Sequence, residues 1–247
     1  MDIRLNYKTN EFLIASTNEW FESNYKQLIN DSKPILISNP FIYGEPYIDE
    51  NAKKIMIVGQ EPKDYNIYNP QINLQDEQMW TIDYLERQVY GIKNGKKYNR
   101  SAFWSLQRLL YENGFCTTWN NLDKAHIVDA NGKTKPLSLE FEKILGRPLK
   151  TDNKTILQRE ILISKPSAVL FLTGPYYFES MATSLQCEKE CIYLKKPKAQ
   201  KIINNITDEA NLNIPCLWTY HPKYLRRAGK ENMLFYEVLN KLKEVLT

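Results

Sequence analysis

The strongest constraint on the fold is a short apolar run at residues 55–58, which stops at a glycine and is followed by Gln60, Glu61 and Pro62. The run has the length and β-rich composition of a strand buried on both faces, as in the middle of a parallel sheet. Pro62 has no amide hydrogen for a ladder, so the strand must end before it. Ligands of open α/β sheets bind outside the carboxyl ends of the strands, and we therefore expect Gln60 and Glu61 to reach a binding crevice. Taken alone, these few residues are equally compatible with a plain surface turn.

Three further apolar runs resemble the first, and stretches with helical spacing separate them. The runs occupy residues 115–122, 168–172 and 215–219. Apolar positions three or four apart predict helices between and after them, including 77–90 and 230–246. Buried strands that alternate with helices predict an α/β protein, here a three-layer α/β/α sandwich with a central four-stranded parallel sheet.

The chain is expected to be a single α/β domain over residues 1–247. Its 247 residues are enough to bury a sizeable core without cross-links, and neither a linker nor an internal repeat divides the sequence. Residues 1–50 have a helical pattern followed by a proline-containing extended stretch, and we interpret them as an N-terminal extension. Residues 51–247 contain the four strand-like runs and form the predicted core.

The charge of the chain permits a polyanionic partner without requiring one. It has 33 Lys and Arg against 29 Asp and Glu, a formal net charge of +4. No apolar run approaches the roughly 18 residues that span a bilayer, and the N-terminus has no apolar leader. We therefore expect a cytoplasmic protein with no membrane contact. We also expect a monomer.

Four cysteines should remain reduced in that compartment. Cys187 and Cys191 are four residues apart and can share a helix face, which leaves open an iron–sulfur or zinc site completed by the other two. Cys116 and Cys216 have no tight ligand spacing and lie in strand-like segments, where cysteine is usually a small buried hydrophobe. We therefore favour four structural thiols and no metal.

Polar residues follow the strand-like runs at their carboxyl ends. Gln60 and Glu61 follow the first run, Asn121 lies at the end of the second, and His221 follows the fourth. Because the carboxyl ends of parallel strands share one edge of a sheet, these side chains should converge there. One carboxylate, two amides and one imidazole are suited to read the edge of a base and to stabilise a cation.

The motifs GQEP, Asn-Leu and HPKYL resemble those of the uracil-DNA glycosylase superfamily in residue type, order and strand context. The best-known family of that superfamily has Gly-Gln-Asp-Pro-Tyr-His as its first motif and His-Pro-Ser-Pro-Leu as its last. The similarity covers the chain from about Lys53 to the C-terminus. It implies a uracil-DNA glycosylase-like fold and a base-excision repair enzyme that hydrolyses the N-glycosidic bond of uracil or a related damaged base in DNA, without a cofactor.

The resemblance also implies roles for individual residues. Glu61 stands where the family has its catalytic aspartate, and His221 matches the histidine that donates to uracil O2. Gln60 would bind the flipped base through its backbone or side chain, and Asn121 matches the asparagine that reads the pyrimidine edge. Tyr65 is one candidate for the aromatic residue that stacks on the base.

Residues 221–230 would contact the DNA in this interpretation. Leu225 matches the apolar wedge that fills the gap left by a flipped base, and Lys223, Arg226 and Arg227 surround it with cations that would hold phosphates. The alternative interpretation of the same segment is a solvated turn before the last helix.

The sequence departs from the family's first motif at three positions. Glu61 is one methylene longer than aspartate, Lys63 replaces the tyrosine that bars the thymine methyl group, and Asp64 replaces the motif's histidine. Trp80 and Tyr98 are further candidates for the stacking aromatic residue.

The chemistry of base removal is consistent with these assignments. Breaking an N-glycosidic bond builds positive charge on the sugar and negative charge on the base, which the Glu61 carboxylate and donors on His221 and Asn121 can offset. An alternative is a catalytically altered glycosylase-fold protein that binds nucleic acid without cleavage, because fold does not determine function. A third hypothesis is an enzyme acting on free nucleosides or nucleotides, against which the basic segment 221–230 argues.

Overall fold

A computed structural model describes residues 7–32, 35–46, 51–60, 66–91, 100–129, 131–199 and 201–247. In chain order the strands are β1 (Leu36–Ile37), β2 (Lys53–Gly59), β3 (Phe115–Asn121), β4 (Ile127–Val128), β5 (Thr134–Lys135), β6 (Ala168–Phe171), β7 (Ile203–Asn205) and β8 (Cys216–Thr219). The α-helices are α1 (Tyr7–Trp20), α2 (Lys26–Asp31), α3 (Leu74–Leu85), α4 (Ala102–Glu112), α5 (Leu139–Leu145), α6 (Ile156–Ser164), α7 (Phe178–Leu185), α8 (Lys189–Leu194), α9 (Pro222–Arg227) and α10 (Glu231–Val245). Two π-helical segments, Phe21–Tyr25 and Glu86–Tyr90, continue α1 and α3, and a 3-10 turn, Pro175–Tyr177, precedes α7.

The central sheet of the described part has five strands in the order β3-β2-β6-β8-β7. The first four are parallel, and each corresponds to one of the four apolar runs of the sequence. The predicted α/β class and its parallel strands are therefore confirmed. The short strands β1, β4 and β5 form a separate antiparallel sheet.

The prediction of a four-stranded, wholly parallel sheet is wrong at one edge. Strand β7 pairs with β8 in the antiparallel direction, with Asn204 opposite Trp218. Its three residues, Ile-Asn-Asn, are too few and too polar to give a strand pattern in the sequence. The edge is held partly by side chains, because Thr219 Oγ1 donates to the carbonyl oxygen of Ile202 at 2.7 Å. Asn204 Nδ2 donates to that of Lys195 at 2.7 Å.

Helices cover both faces of this sheet, so the three predicted layers are present. Along β2, Ile55 and Ile57 belong to one buried cluster, while Met56 and Val58 belong to another. Successive side chains of a strand point to opposite faces, which places these clusters on the two sides of the sheet. Helices α4, α9 and α10 contribute to the first cluster, and α1, α3, α6, α7 and α8, together with Trp104 of α4, contribute to the second.

Residues that precede β2 belong to the same packed core. Leu13, Phe41 and Tyr43 are at most 1% exposed and share a cluster with Met56 and Val58. The N-terminal segment, which the sequence presents as an extension, thus fills part of one helical layer.

Residues 222–227 of the basic segment that follows β8 are helical, which corrects the alternative interpretation of this segment as a solvated turn. His221 is the N-cap of α9, Pro222 occupies the first helical turn, and Arg226 and Arg227 lie in the last turn. Proline is favoured at the first position of a helix, and cations are favoured near its carboxyl end. Both signals are present in the sequence.

A buried ion pair anchors the carboxyl end of β3 to α6. Lys124 and Glu160 are each 1% exposed, and Lys124 Nζ lies 2.7 Å from Glu160 Oε2. Asn120 Nδ2 donates to the same carboxylate at 2.9 Å, while Asn120 Oδ1 accepts from Lys124 and from the backbone N–H of Asn121. Burial lowers the pKa of Lys124, and the charge of Glu160 opposes that shift. The network fixes the backbone that carries Asn121.

Replacing one partner of this ion pair should destabilise the protein strongly. Glu160→Ala leaves the Lys124 ammonium buried without its counter-charge, and we expect the free energy of unfolding in urea to fall by roughly 3–5 kcal/mol. The control is the double variant Lys124→Met/Glu160→Leu, which removes both charges and should recover most of the loss. Equal destabilisation of the single and double variants would contradict the prediction.

Candidate active site

The candidate site lies where the order of the central sheet reverses. The chain passes from β2 to β3 on one side and then returns to place β6 on the other side of β2. Ligands of open α/β sheets bind at such a switch point, outside the carboxyl ends of the strands. A cavity of about 760 Å³ opens there, within the size range of small-molecule sites. It is lined by Gly59, Gln60, Trp80, Tyr84, Arg100, Ser101, Ala102, Phe103, Trp104, Trp119, Asn121, His221, Lys223, Arg226 and Arg227.

Gln60 is held by hydrogen bonds to the segments that follow β3 and β6. Its side-chain Nε2 donates to the carbonyl oxygen of Thr173 at 2.7 Å, and its own carbonyl oxygen accepts from the backbone N–H of Asp123 at 2.9 Å. Thr173 is held in turn by Trp218, whose indole N–H donates to its hydroxyl oxygen at 2.9 Å. Gln60 therefore joins the carboxyl ends of β2, β3 and β6.

Asn121 presents an unpaired amide donor to the cavity. The indole N–H of Trp119 donates to Asn121 Oδ1 at 3.3 Å, which fixes the orientation of the side-chain amide. Asn121 is 2% exposed, yet its Nδ2 has no hydrogen-bond partner among the described residues. An unsatisfied buried polar group costs about 1–3 kcal/mol. A ligand that accepts a hydrogen bond at this point would remove that cost.

Gly59 allows the Asn121 amide to sit against the end of β2. The two residues are register partners in the parallel pair, and a Cβ atom at position 59 would lie 2.6 Å from Asn121 Oδ1. The same Cβ would lie 3.4 Å from the ring of Phe103. Glycine is thus required by the close approach of these side chains.

The His221 ring is oriented by the first turn of α9. As the N-cap of α9, it accepts the backbone N–H of Lys223 at Nδ1, at a distance of 3.2 Å. A ring nitrogen that accepts a hydrogen bond carries no proton, so the neutral ring is protonated at Nε2. The ring lies nearly parallel to that of Phe103, with 6.1 Å between centroids and 11° between planes.

Aromatic side chains form one wall of the cavity. The rings of Trp104 lie 5.0 Å from Phe103, 5.4 Å from Tyr84 and 5.0 Å from Trp119, and Trp80 stacks on Tyr84 at 5.2 Å. Of these, the sequence pointed to Trp80 alone. Trp119 was detectable in principle, because it lies two residues before Asn121 on the same strand and therefore on the same face.

The rim of the cavity is positively charged. Arg100, Lys223, Arg226 and Arg227 are exposed there, and none of the described lining residues is acidic. Arg226 Nη1 donates to the carbonyl oxygen of Arg100 at 2.7 Å, which joins α9 to the segment before α4. A cavity with apolar walls and a cationic rim attracts anionic ligands.

The structure brings most of the predicted site residues together and leaves others outside its described part. Six of the predicted site residues line the same cavity: Gln60, Asn121, His221, Lys223, Arg226 and Arg227. The predicted catalytic residue Glu61 and the predicted base-binding residue Tyr65 lie outside the described residues, as do Lys63, Asp64 and Tyr98.

The assignment of Leu225 as a wedge is wrong. Its side chain is 2% exposed and packs in the cluster that contains Ile55, Leu234 and Val238. In a helix that begins at Pro222, position 225 lies one turn later on the same buried face. The neighbouring exposed aromatic residue is Tyr224, which is 57% exposed.

The four cysteines lie within the described part of the chain, and none of them is in a disulfide bond. Burial raises the pKa of Cys216 to about 12 and that of Cys187 to about 11. Within that part, no group of three or more His, Cys, Asp or Glu side chains is placed to hold a metal ion.

Comparison with known proteins adds no family to this description. No protein-family model matches the chain, and no curated protein matches it at a significant level. Among the described helices, none has the length and hydropathy required to cross a membrane. The geometry of the cavity and the order of the motifs are therefore the grounds for a functional proposal.

The burial of Leu225 predicts that its side chain stabilises the folded protein. Leu225→Ala should lower the free energy of unfolding by roughly 2–5 kcal/mol, as expected for a buried leucine. Met233→Ala, at a position that is 41% exposed, is the control and should change stability by about 0.5 kcal/mol or less. Full stability of Leu225→Ala in urea, combined with weaker duplex binding, would restore the wedge assignment.

Proposed function

We propose that the protein is a DNA glycosylase that hydrolyses the N-glycosidic bond of uracil or a related damaged base in DNA. The observation that carries the proposal is the convergence of Gln60, Asn121 and His221 on one aromatic-walled cavity beneath a cationic rim. These residues come from separate motifs of the sequence, and their order matches that of the uracil-DNA glycosylase superfamily. The chemistry of the cavity supports the same proposal.

The cavity offers hydrogen-bond donors and ring faces to a planar base. Asn121 Nδ2 is a buried donor without a partner among the described residues, and His221 carries a donor at Nε2. Both complement the carbonyl oxygens of a pyrimidine such as uracil. The ring of Phe103, close to both Gly59 and His221, is a candidate stacking surface for the base.

The same donors stabilise the transition state more than the ground state. As the glycosidic bond breaks, negative charge accumulates on the departing base, and hydrogen bonds from His221 and Asn121 strengthen. The backbone N–H of Lys223 fixes the tautomer of His221 before the substrate arrives. Such a preorganised donor pays no reorganisation cost during the reaction.

Glu61 supplies the charge that the sugar requires. It directly follows Gln60, which lines the cavity. The sugar acquires oxocarbenium character as the base departs, and a carboxylate offsets this charge and orients the attacking water. The assignment of Glu61 rests on its position in the first motif.

In this proposal, the cationic side chains at the rim of the cavity bind the phosphates of the DNA. A base inside a duplex is inaccessible, so the target nucleotide must be flipped out or taken from a single strand. Lys223, Arg226, Arg227 and Arg100 would contact the phosphates on either side of it. Binding should therefore weaken as salt concentration rises.

Activity should depend on the two proposed catalytic residues. The assay uses single- and double-stranded oligonucleotides with uracil, hypoxanthine or a thymine mismatch, followed by alkaline cleavage of abasic sites. Wild-type protein should give strand scission, and Glu61→Gln and His221→Ala should each lower turnover by about 10²–10⁴-fold. Glu140→Gln, an exposed carboxylate on α5, is the control and should retain full activity, with folding of all variants checked by circular dichroism.

Two results would contradict parts of the proposal. Full activity in both variants would reject Glu61 and His221 as catalytic residues. Intact oligonucleotide after incubation with wild-type protein, together with salt-dependent binding, would favour the alternative of a glycosylase-fold protein that binds nucleic acid without cleavage.

A further inference from the structure

Three tyrosines lie on the surface beside the cavity. Tyr176 belongs to the turn that follows β6 and is 93% exposed, Tyr224 belongs to α9 and is 57% exposed, and Tyr220 is partly exposed directly after β8. Tyr220 and Tyr224 are next in the sequence to the lining residues His221 and Lys223, and Tyr176 follows Thr173, whose carbonyl oxygen accepts from the lining residue Gln60. None of them has a role in the site described above.

The segments that carry these tyrosines are in contact. The backbone N–H of Gly174 donates to the carbonyl oxygen of Thr219 at 3.0 Å. A Cβ atom at Gly174, whose φ is +74°, would lie 3.7 Å from the nitrogen of His221 and 3.9 Å from Cα of Tyr220. The turn with Tyr176 thus lies against the residues that lead into α9. His221 joins this surface to the cavity.

Two of the three tyrosine rings, those of Tyr220 and Tyr224, stack on each other. Tyr220 and Tyr224 have ring centroids 5.1 Å apart and planes inclined by 18°. The Tyr220 hydroxyl donates to the carbonyl oxygen of Pro197 at 3.0 Å, which fixes its ring. Burial raises the pKa of Tyr220, and the neighbouring Tyr224 and Tyr176 shift it in the same direction, in agreement with their proximity.

Two lysines lie near the tyrosines. Lys223 is exposed at the cavity, and Lys196, near Tyr220, has its Nζ 3.7 Å from the ring centre of Tyr193. Lys195 is paired with Glu209 at 3.0 Å and contributes little net charge. Exposed aromatic rings beside cations are the combination that binds single-stranded nucleic acids.

We propose that Tyr176, Tyr220 and Tyr224 form a stacking surface for the bases of a single-stranded DNA segment that flanks the nucleotide in the cavity. The inference rests on the proposed function, because it takes the cavity to hold a nucleotide. In a duplex the bases stack on one another, whereas a single strand presents its base faces to protein rings. Continuity with the cationic rim favours a nucleic acid over a protein partner at this surface.

The experiment measures binding and cleavage separately. Fluorescence anisotropy with a labelled oligothymidine strand that lacks a damaged base reports the dissociation constant at fixed salt concentration. Tyr176→Ala and Tyr224→Ala should each raise it roughly 5- to 150-fold, the range for loss of one stacked base, while Tyr176→Phe and Tyr224→Phe retain the rings and should bind like wild type. Tyr236→Ala, a 68% exposed tyrosine on α10, is the matched control.

Cleavage of a uracil-containing single strand by the same proteins separates this proposal from the proposed function. Alanine variants that bind oligothymidine as tightly as Tyr236→Ala would overturn the stacking surface even if the protein cleaves DNA. If the wild-type protein cleaves no DNA but the alanine variants bind oligothymidine more weakly than it does, the stacking surface would be supported and the glycosylase activity rejected. Absence of single-strand binding by the wild-type protein at low salt would also overturn the stacking surface.

Discussion

The parallel pairing of β2 with a strand on each side is the constraint on which the site depends. Because β3 and β6 both run in the same direction as β2, their carboxyl ends meet at one edge, where the order of the sheet reverses. Gly59 and Asn121 are register partners there, and Gln60 bridges to Thr173 beyond the end of β6. A slip of one residue in this pairing would move Asn121 to the opposite face of the sheet, so the pairing sets the chemistry of the cavity.

Parts of the fold that follow from periodicity could be predicted from the sequence, whereas parts that depend on pairing or context could not. The four parallel strands correspond to short runs of apolar, β-branched and aromatic residues, and their alternation with helices leaves few architectures. Strand β7 gave no such signal, because an edge strand of three residues is formed by its neighbour and by side-chain bonds of Asn204 and Thr219. Likewise, α9 is stabilised by its cap and by burial of Leu225, which local composition does not reveal.

The candidate site was predictable to the extent that its residues follow strands. Gln60, Asn121 and His221 are placed by the backbone of the sheet, so their position in the sequence is sufficient to bring them together. The aromatic wall is different. Phe103 and Trp104 come from the first turn of α4, and their contact with the cavity depends on how that helix packs against β3. Helix packing is set by many weak contacts, which a motif does not encode.

The error at Leu225 shows why a role transferred by motif position must be tested against burial. In an extended loop, the fifth residue of HPKYL could project from the surface. Once His221 caps a helix and Pro222 starts it, the third residue after the proline must share its buried face, and Leu225 enters the core. Tyr224 is then the side chain exposed to solvent, next to Tyr220. The helix thus buries the apolar side chain and exposes an aromatic ring, which under our proposal suits stacking on a base and not insertion into a duplex.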